Sequence, residues 1–137
     1  MKRSLLFIAL CLLAAGCNGG PVDETKDLPT VYETALGELL KEPSKGEGFF
    51  LFIDGKDPTQ ELLDQLHKTW PKLDVGSKVP QGKADRINLS KLKWIDRDTV
   101  ELQRGRSNGM DGHIQRLRLI RKDGIWTVAS TTTEAIS

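Results

Sequence analysis

The sequence predicts an α+β domain: two N-terminal helices packed on a mostly antiparallel sheet of about five strands. Apolar residues first recur at helical spacing, at Val31, Tyr32, Ala35, Leu36, Leu39 and Leu40, and again at Leu62, Leu63 and Leu66. From Arg86 onward the period changes to two, with Ile87 and Leu89 alternating with polar neighbours. Turn-forming clusters at Asp96-Arg97-Asp98, Ser107-Asn108-Gly109 and Lys122-Asp123-Gly124 then divide that region into four consecutive strands.

Each element has a local cause. Thr30-Val31-Tyr32-Glu33 has the spacing of a capping box, which places the start of the first helix at Thr30, and Pro43 stops it. Phe49-Phe50-Leu51-Phe52-Ile53 is an apolar run too short for a core helix and reads as a strand buried on both faces. Asp57-Pro58-Thr59-Gln60 opens the second helix, with Asp57 as N-cap and Pro58 at the first helical position, and Pro71 ends it. Lys72 to Lys83 reads as a loop. The apolar phase slips near Ser90-Lys91 before Leu92 and Trp94 resume it, and a β-bulge accounts for the slip. Ser130 to Ser137 is polar and reads as a frayed tail.

The N-terminus is the most specific segment. Lys2 and Arg3 precede an uncharged apolar run from Leu5 to Ala15. A spanning helix needs roughly 20 apolar residues, so this run has the length and flanks of a cleavable signal peptide. Leu13-Ala14-Ala15-Gly16-Cys17 resembles the lipobox of bacterial lipoproteins. The resemblance implies cleavage before Cys17, attachment of lipid (palmitate among the acyl chains) to its thiol, and a cell-envelope location. Asn18 in place of Asp implies the outer membrane in a Gram-negative envelope. The domain plan is therefore a signal peptide over 1–16, a lipidated Cys and polar tether over 17–28, the folded domain over 29–130 and the tail over 131–137. Asn18 to Leu28, fully extended, reaches no more than ~40 Å. The closing segment Arg121 to Val128, a charged-Gly turn followed by Trp126-Thr127-Val128, resembles the last hairpin of NTF2-like and related cone-shaped domains. That resemblance implies a ligand cavity between helices and sheet.

Charge and composition narrow the function classes. The 137 residues carry 20 Lys+Arg and 19 Asp+Glu, so nothing global calls for a nucleic-acid partner. Processing would remove Cys11 and occupy Cys17, leaving no thiol for disulfide, metal or nucleophilic chemistry. No cofactor is implied. Asp54, Asp57 and Glu61 cluster, but the capping reading of Asp57 accounts for that cluster better than a metal does. The loop Gly105 to Gly112 is glycine-rich, yet it lacks the Gly-Lys-Ser/Thr ending of a phosphate loop. An enzyme would have to combine His113 with Asp96 or Asp98, the least favoured reading.

Two candidate sites remain. Residues 86–122 hold ten basic against four acidic side chains, whereas residues 17–85 hold eight against thirteen. Arg104 and Arg106, and likewise Arg116 and Arg118, fall at period two on the strands either side of one turn. A basic sheet face made of these four would meet an anionic envelope component. Alternatively Tyr32, Phe52, Trp94 and Trp126, with Phe50, line a groove between helices and sheet. The function expected is a lipid-anchored, non-enzymatic binding or interaction module, with a small-ligand binder as the alternative.

Overall fold

The computed structural model describes residues 24–41, 48–80, 84–108 and 112–136. The expected signal peptide, the lipobox-like segment with Cys17, the first part of the expected tether and the tip of the Ser107–Gly112 turn lie outside the described residues. The elements run α1 (Glu24–Gly37), β1 (Phe49–Ile53), α2 (Gln60–His67), β2 (Asp74–Val75), β3 (Asp85–Asp96), β4 (Thr99–Ser107), β5 (Gly112–Lys122) and β6 (Ile125–Ile136). Single 3-10 turns follow α1 at Leu39–Lys41 and β2 at Gly76–Lys78. The sheet has six strands in the order β2-β1-β3-β4-β5-β6. The α+β class and the four-strand meander stand. The sheet gains a strand because Asp74–Val75, inside the expected loop, pairs with β1.

The sheet is antiparallel from β3 to β6 and parallel at its other end, where β1 runs alongside both β2 and β3. A parallel neighbour requires a crossover, and α2 lies in the crossover between β1 and β2. One face of the sheet carries Leu51, Ile87, Leu89, Val100, Leu102, Leu117 and Leu119, all within 1% of complete burial. Val31, Ala35 and Leu36 of α1 and Leu66 of α2 pack into the same cluster. The helices therefore cover that face, and the opposite face is open.

Several boundaries move for identifiable reasons. α1 starts at Glu24 and carries Pro29 inside it. Thr30 is not its cap; its carbonyl accepts from Thr34 Oγ1 at 2.8 Å. The early start is held by Arg121, which pairs with Asp27 at 3.2 Å and with Asp98 at 3.0 Å. The N-cap of α2 is Thr59, whose hydroxyl accepts from the Leu62 amide. Asp57 is diverted from capping because its carboxylate accepts both the amide and the hydroxyl of Ser77. The expected polar tail is strand up to Ile136: Thr131, Thr132 and Thr133 are β-branched and pair with β5, which would otherwise present a bare edge. The bulge after Ser90 is present, with Lys91 at φ +55°. The Lys122–Ile125 hairpin turns through Asp123 and Gly124, both at positive φ, as a two-residue turn of matching twist requires.

Candidate functional site

The four arginines of the expected basic face do not share a face. Register pairs Arg104 with Gln115 and Arg106 with His113, so these four point toward the helices. The same register pairs Arg116 with Gln103 and Arg118 with Glu101, on the open side. Each arginine also holds a carboxylate. Arg116 pairs with Glu134 at 3.0 Å and Arg118 with Glu101 at 3.8 Å, both well exposed. Arg106 donates from Nε and Nη2 to one oxygen of Asp85, which is 1% exposed, and its guanidinium lies 5.9 Å from the centre of the Phe49 ring.

Arg104 goes furthest inward. At 4% exposure it donates from Nη1 to the Ala35 carbonyl at 2.8 Å and from Nη2 to Gln115 Oε1 at 2.6 Å, with Glu38 at 3.7 Å. Burial lowers its pKa from the ordinary arginine value, and the neighbouring Glu38 carboxylate opposes that shift. Ala35 offers one of the last carbonyls of α1, and the final turn of α1 has no basic residue of its own. A guanidinium from β4 thus supplies the positive charge and the donor that this helix end lacks.

A shallow pocket of about 260 Å³ opens beside this cluster, lined by Glu38, Leu39, Arg104, Arg106, His113 and Gln115. His113 reaches it from the start of β5. Asp96 and Asp98 sit at the far end of the β3–β4 hairpin, with Asp96 paired to Thr99 while Arg106 pairs with His113. The β4 strand separates them, so the dyad His113 with Asp96 or Asp98 is not assembled. Among the described residues no group of three His, Cys, Asp or Glu is placed to hold a metal.

The expected aromatic groove is also divided. Trp94 and Trp126 meet edge to face at 5.8 Å and 71°, with Arg121 stacked 5.2 Å over the Trp126 ring. They fill the helix-side core and line none of the cavities described here. Phe50 is buried and Phe52 half-buried on the other face. Phe52, Asn88, Gly105 and Ile114 are register partners in one row across four strands. Because Gly105 has no side chain, that row forms the floor of an open groove of about 490 Å³.

Tyr32 lines the largest of the three cavities, about 640 Å³. Its walls come from Leu28 and Pro29 of α1, Ile53 at the end of β1, Pro58 in the following loop and Leu62 of α2. Asp54, Asp57 and Glu61, the cluster noted in the sequence, all border it, as do Lys26, Lys56 and Gln65. Asp54 is fixed in a left-handed conformation at φ +53°. Its amide donates to the Leu89 carbonyl at 2.9 Å, and its Oδ1 accepts the Lys91 amide at 3.2 Å. Tyr32 is 7% exposed, and its hydroxyl has no hydrogen-bond partner among the described residues. Burial first, and then the negative charge of Asp54, raise its pKa above the ordinary phenol value.

Sequence reasoning named Tyr32 but missed Asp85, Glu38 and Gln115. Asp85 was the detectable one: it falls in phase with Ile87 and Leu89, so it enters the core layer and demands a cationic partner. In comparisons with family models, with curated proteins and with solved structures, nothing matches this chain.

Proposed function

We propose that the chain is a lipid-anchored protein of a bacterial cell envelope, and that its α+β domain is a non-enzymatic binding module. The observation that carries this reading is the order of features at the N-terminus: Lys2-Arg3, the apolar run, then Leu13-Ala14-Ala15-Gly16-Cys17. In this reading, lipid on Cys17 holds the domain at the membrane, on the outer membrane where the envelope is Gram-negative. The seven residue-to-residue steps from Cys17 to Glu24 span at most ~25 Å when extended, so the beginning of α1 stays close to the bilayer surface.

Among binding roles, small-ligand capture is favoured by the cavity beside Tyr32, whose volume and apolar walls fit the usual range for such sites. Docking of an anionic polymer on the four arginines has less support, since each of them already holds a carboxylate.

Substituting Cys17→Ser tests the anchor. The variant is expected to leave the membrane fraction and to lose labelling by a palmitate analogue. Labelling that persists in the variant refutes the proposal.

A further inference from the structure

We infer that the cavity between α1, the end of β1 and α2 is a binding site for a small organic ammonium, an apolar or aromatic body carrying one cationic nitrogen. The walls set the first half of that description. Leu28, Pro29, Ile53, Pro58 and Leu62 offer apolar surface in a space of about 640 Å³. Such a space suits a ring with a short side chain better than an ion or a sugar.

The polar groups set the second half. The Tyr32 hydroxyl makes no hydrogen bond within the described residues, and its side chain lines the cavity, so the phenol is available to a bound group. Asp54, an exposed residue, borders the same space with its backbone amide and its Oδ1 already engaged, which leaves Oδ2 as the acceptor on that carboxylate. No hydrogen bond joins the phenol to the carboxylate, although both line one cavity. A group that donates to both would satisfy them together, and an ammonium has three donors and the matching charge.

The remaining charges do not reverse that preference. Asp57 is committed to Ser77, and Lys26 has a partner of its own. Glu61 and Lys56 offset one another, leaving Asp54 to decide the sign. An anionic ligand would instead meet the like charge of Asp54, which selects against it.

The inference rests on reading the domain as a binding module and not on the lipid anchor. It can be tested by calorimetric titration of the full chain in zwitterionic nanodiscs, with empty nanodiscs as the blank. The probes are phenethylammonium, its neutral analogue phenethyl alcohol and the anion 3-phenylpropionate. Phenethylammonium is expected to bind saturably at one site, about tenfold or more tighter than either analogue.

Tyr32→Phe and Asp54→Asn should each weaken it by about tenfold. Asn tolerates the left-handed backbone and keeps the acceptor for the Lys91 amide. Leu62→Trp, which fills the cavity from α2, should abolish binding. Absence of saturable binding, equal or tighter binding of the neutral or anionic probe, or unchanged affinity in folded Tyr32→Phe and Leu62→Trp chains overturns the inference. A Cys17→Ser chain that leaves the membrane yet binds the probe separates this result from the anchor.

Discussion

Arg104 lies in phase with Val100 and Leu102 on β4, so its guanidinium enters the layer those side chains occupy. There it meets Ala35, Gln115 and Glu38, and its removal would strand a helix-end carbonyl and a buried amide oxygen. We expect Arg104→Met to destabilise the domain by about 2–4 kcal/mol in denaturant titration. Arg118→Ala, which breaks an exposed pair, should change stability by no more than ~0.5 kcal/mol in the same assay. Sequence periodicity put each arginine pair on one side of its strand. It could not say whether the two sides coincided, because that depends on register. The observed pairing joins even-numbered residues of β4 to odd-numbered residues of β5, which sends Arg104 and Arg116 to opposite faces. Asp57 gives a pH test. The Ser77 hydroxyl and then its amide hold the Asp57 carboxyl below its ordinary pKa. Its contribution is therefore present above the unfolded carboxyl pKa, roughly 4, and is lost as pH falls through the lower folded value. Asp57→Asn should flatten the decline in stability below that pH, read from thermal melts between neutral and acid conditions.

At the scale of elements, interior periodicity was legible and ends were not. The apolar stripe of α1 follows from side-chain spacing and the strand β1 from its short continuous apolar run, although only Phe50 and Leu51 of that run are buried. The start of α1 depends on Arg121, 94 residues beyond Asp27, and no local signal around Thr30 reports it. The cap of α2 depends likewise on Ser77, which takes the carboxylate that local rules assign to the helix. β2 is two residues long, too short for any period to register. The bulge, by contrast, was legible because it breaks a period. At its centre Lys91 holds a left-handed backbone that a β-carbon disfavours. Replacing Lys91 with Gly should stabilise the domain by about 0.5–1 kcal/mol, and Lys91→Ile should destabilise it by a similar amount. Midpoint shifts in urea at constant slope would measure both.

For the whole molecule, the sequence divides charge between an acidic helical half and a basic strand half. In the fold these halves interlock. Arg104 meets Glu38 and Arg121 meets Asp27 between the helical segment and the sheet, and Arg106 meets Asp85 between adjacent strands, so charges separated along the chain are paired in the fold. The candidate site had the same limitation. Its walls come from α1, β1, α2 and the loop between β1 and α2, and the sequence can give each segment without giving their convergence. Tyr32 could be named as a pocket aromatic, but Trp94 and Trp126, expected in the same groove, pack into the core instead.

The join between parallel and antiparallel pairing in this sheet has a kinetic side. β3 to β6 pair through short turns, so their contacts close small loops. β1 reaches β3 only across the 36 positions separating Phe49 from Asp85, and that closure costs more chain entropy before any contact rewards it. The meander should therefore assemble early and β1 should dock late, which also makes β1 the first strand to release in the native state. Amide hydrogen exchange is expected to be faster in Phe49–Ile53 than in the centres of β4 and β5. The cavity borders the releasing strand, so any ligand it takes would slow exchange there before slowing it anywhere else, and would act as a latch on the last step of folding.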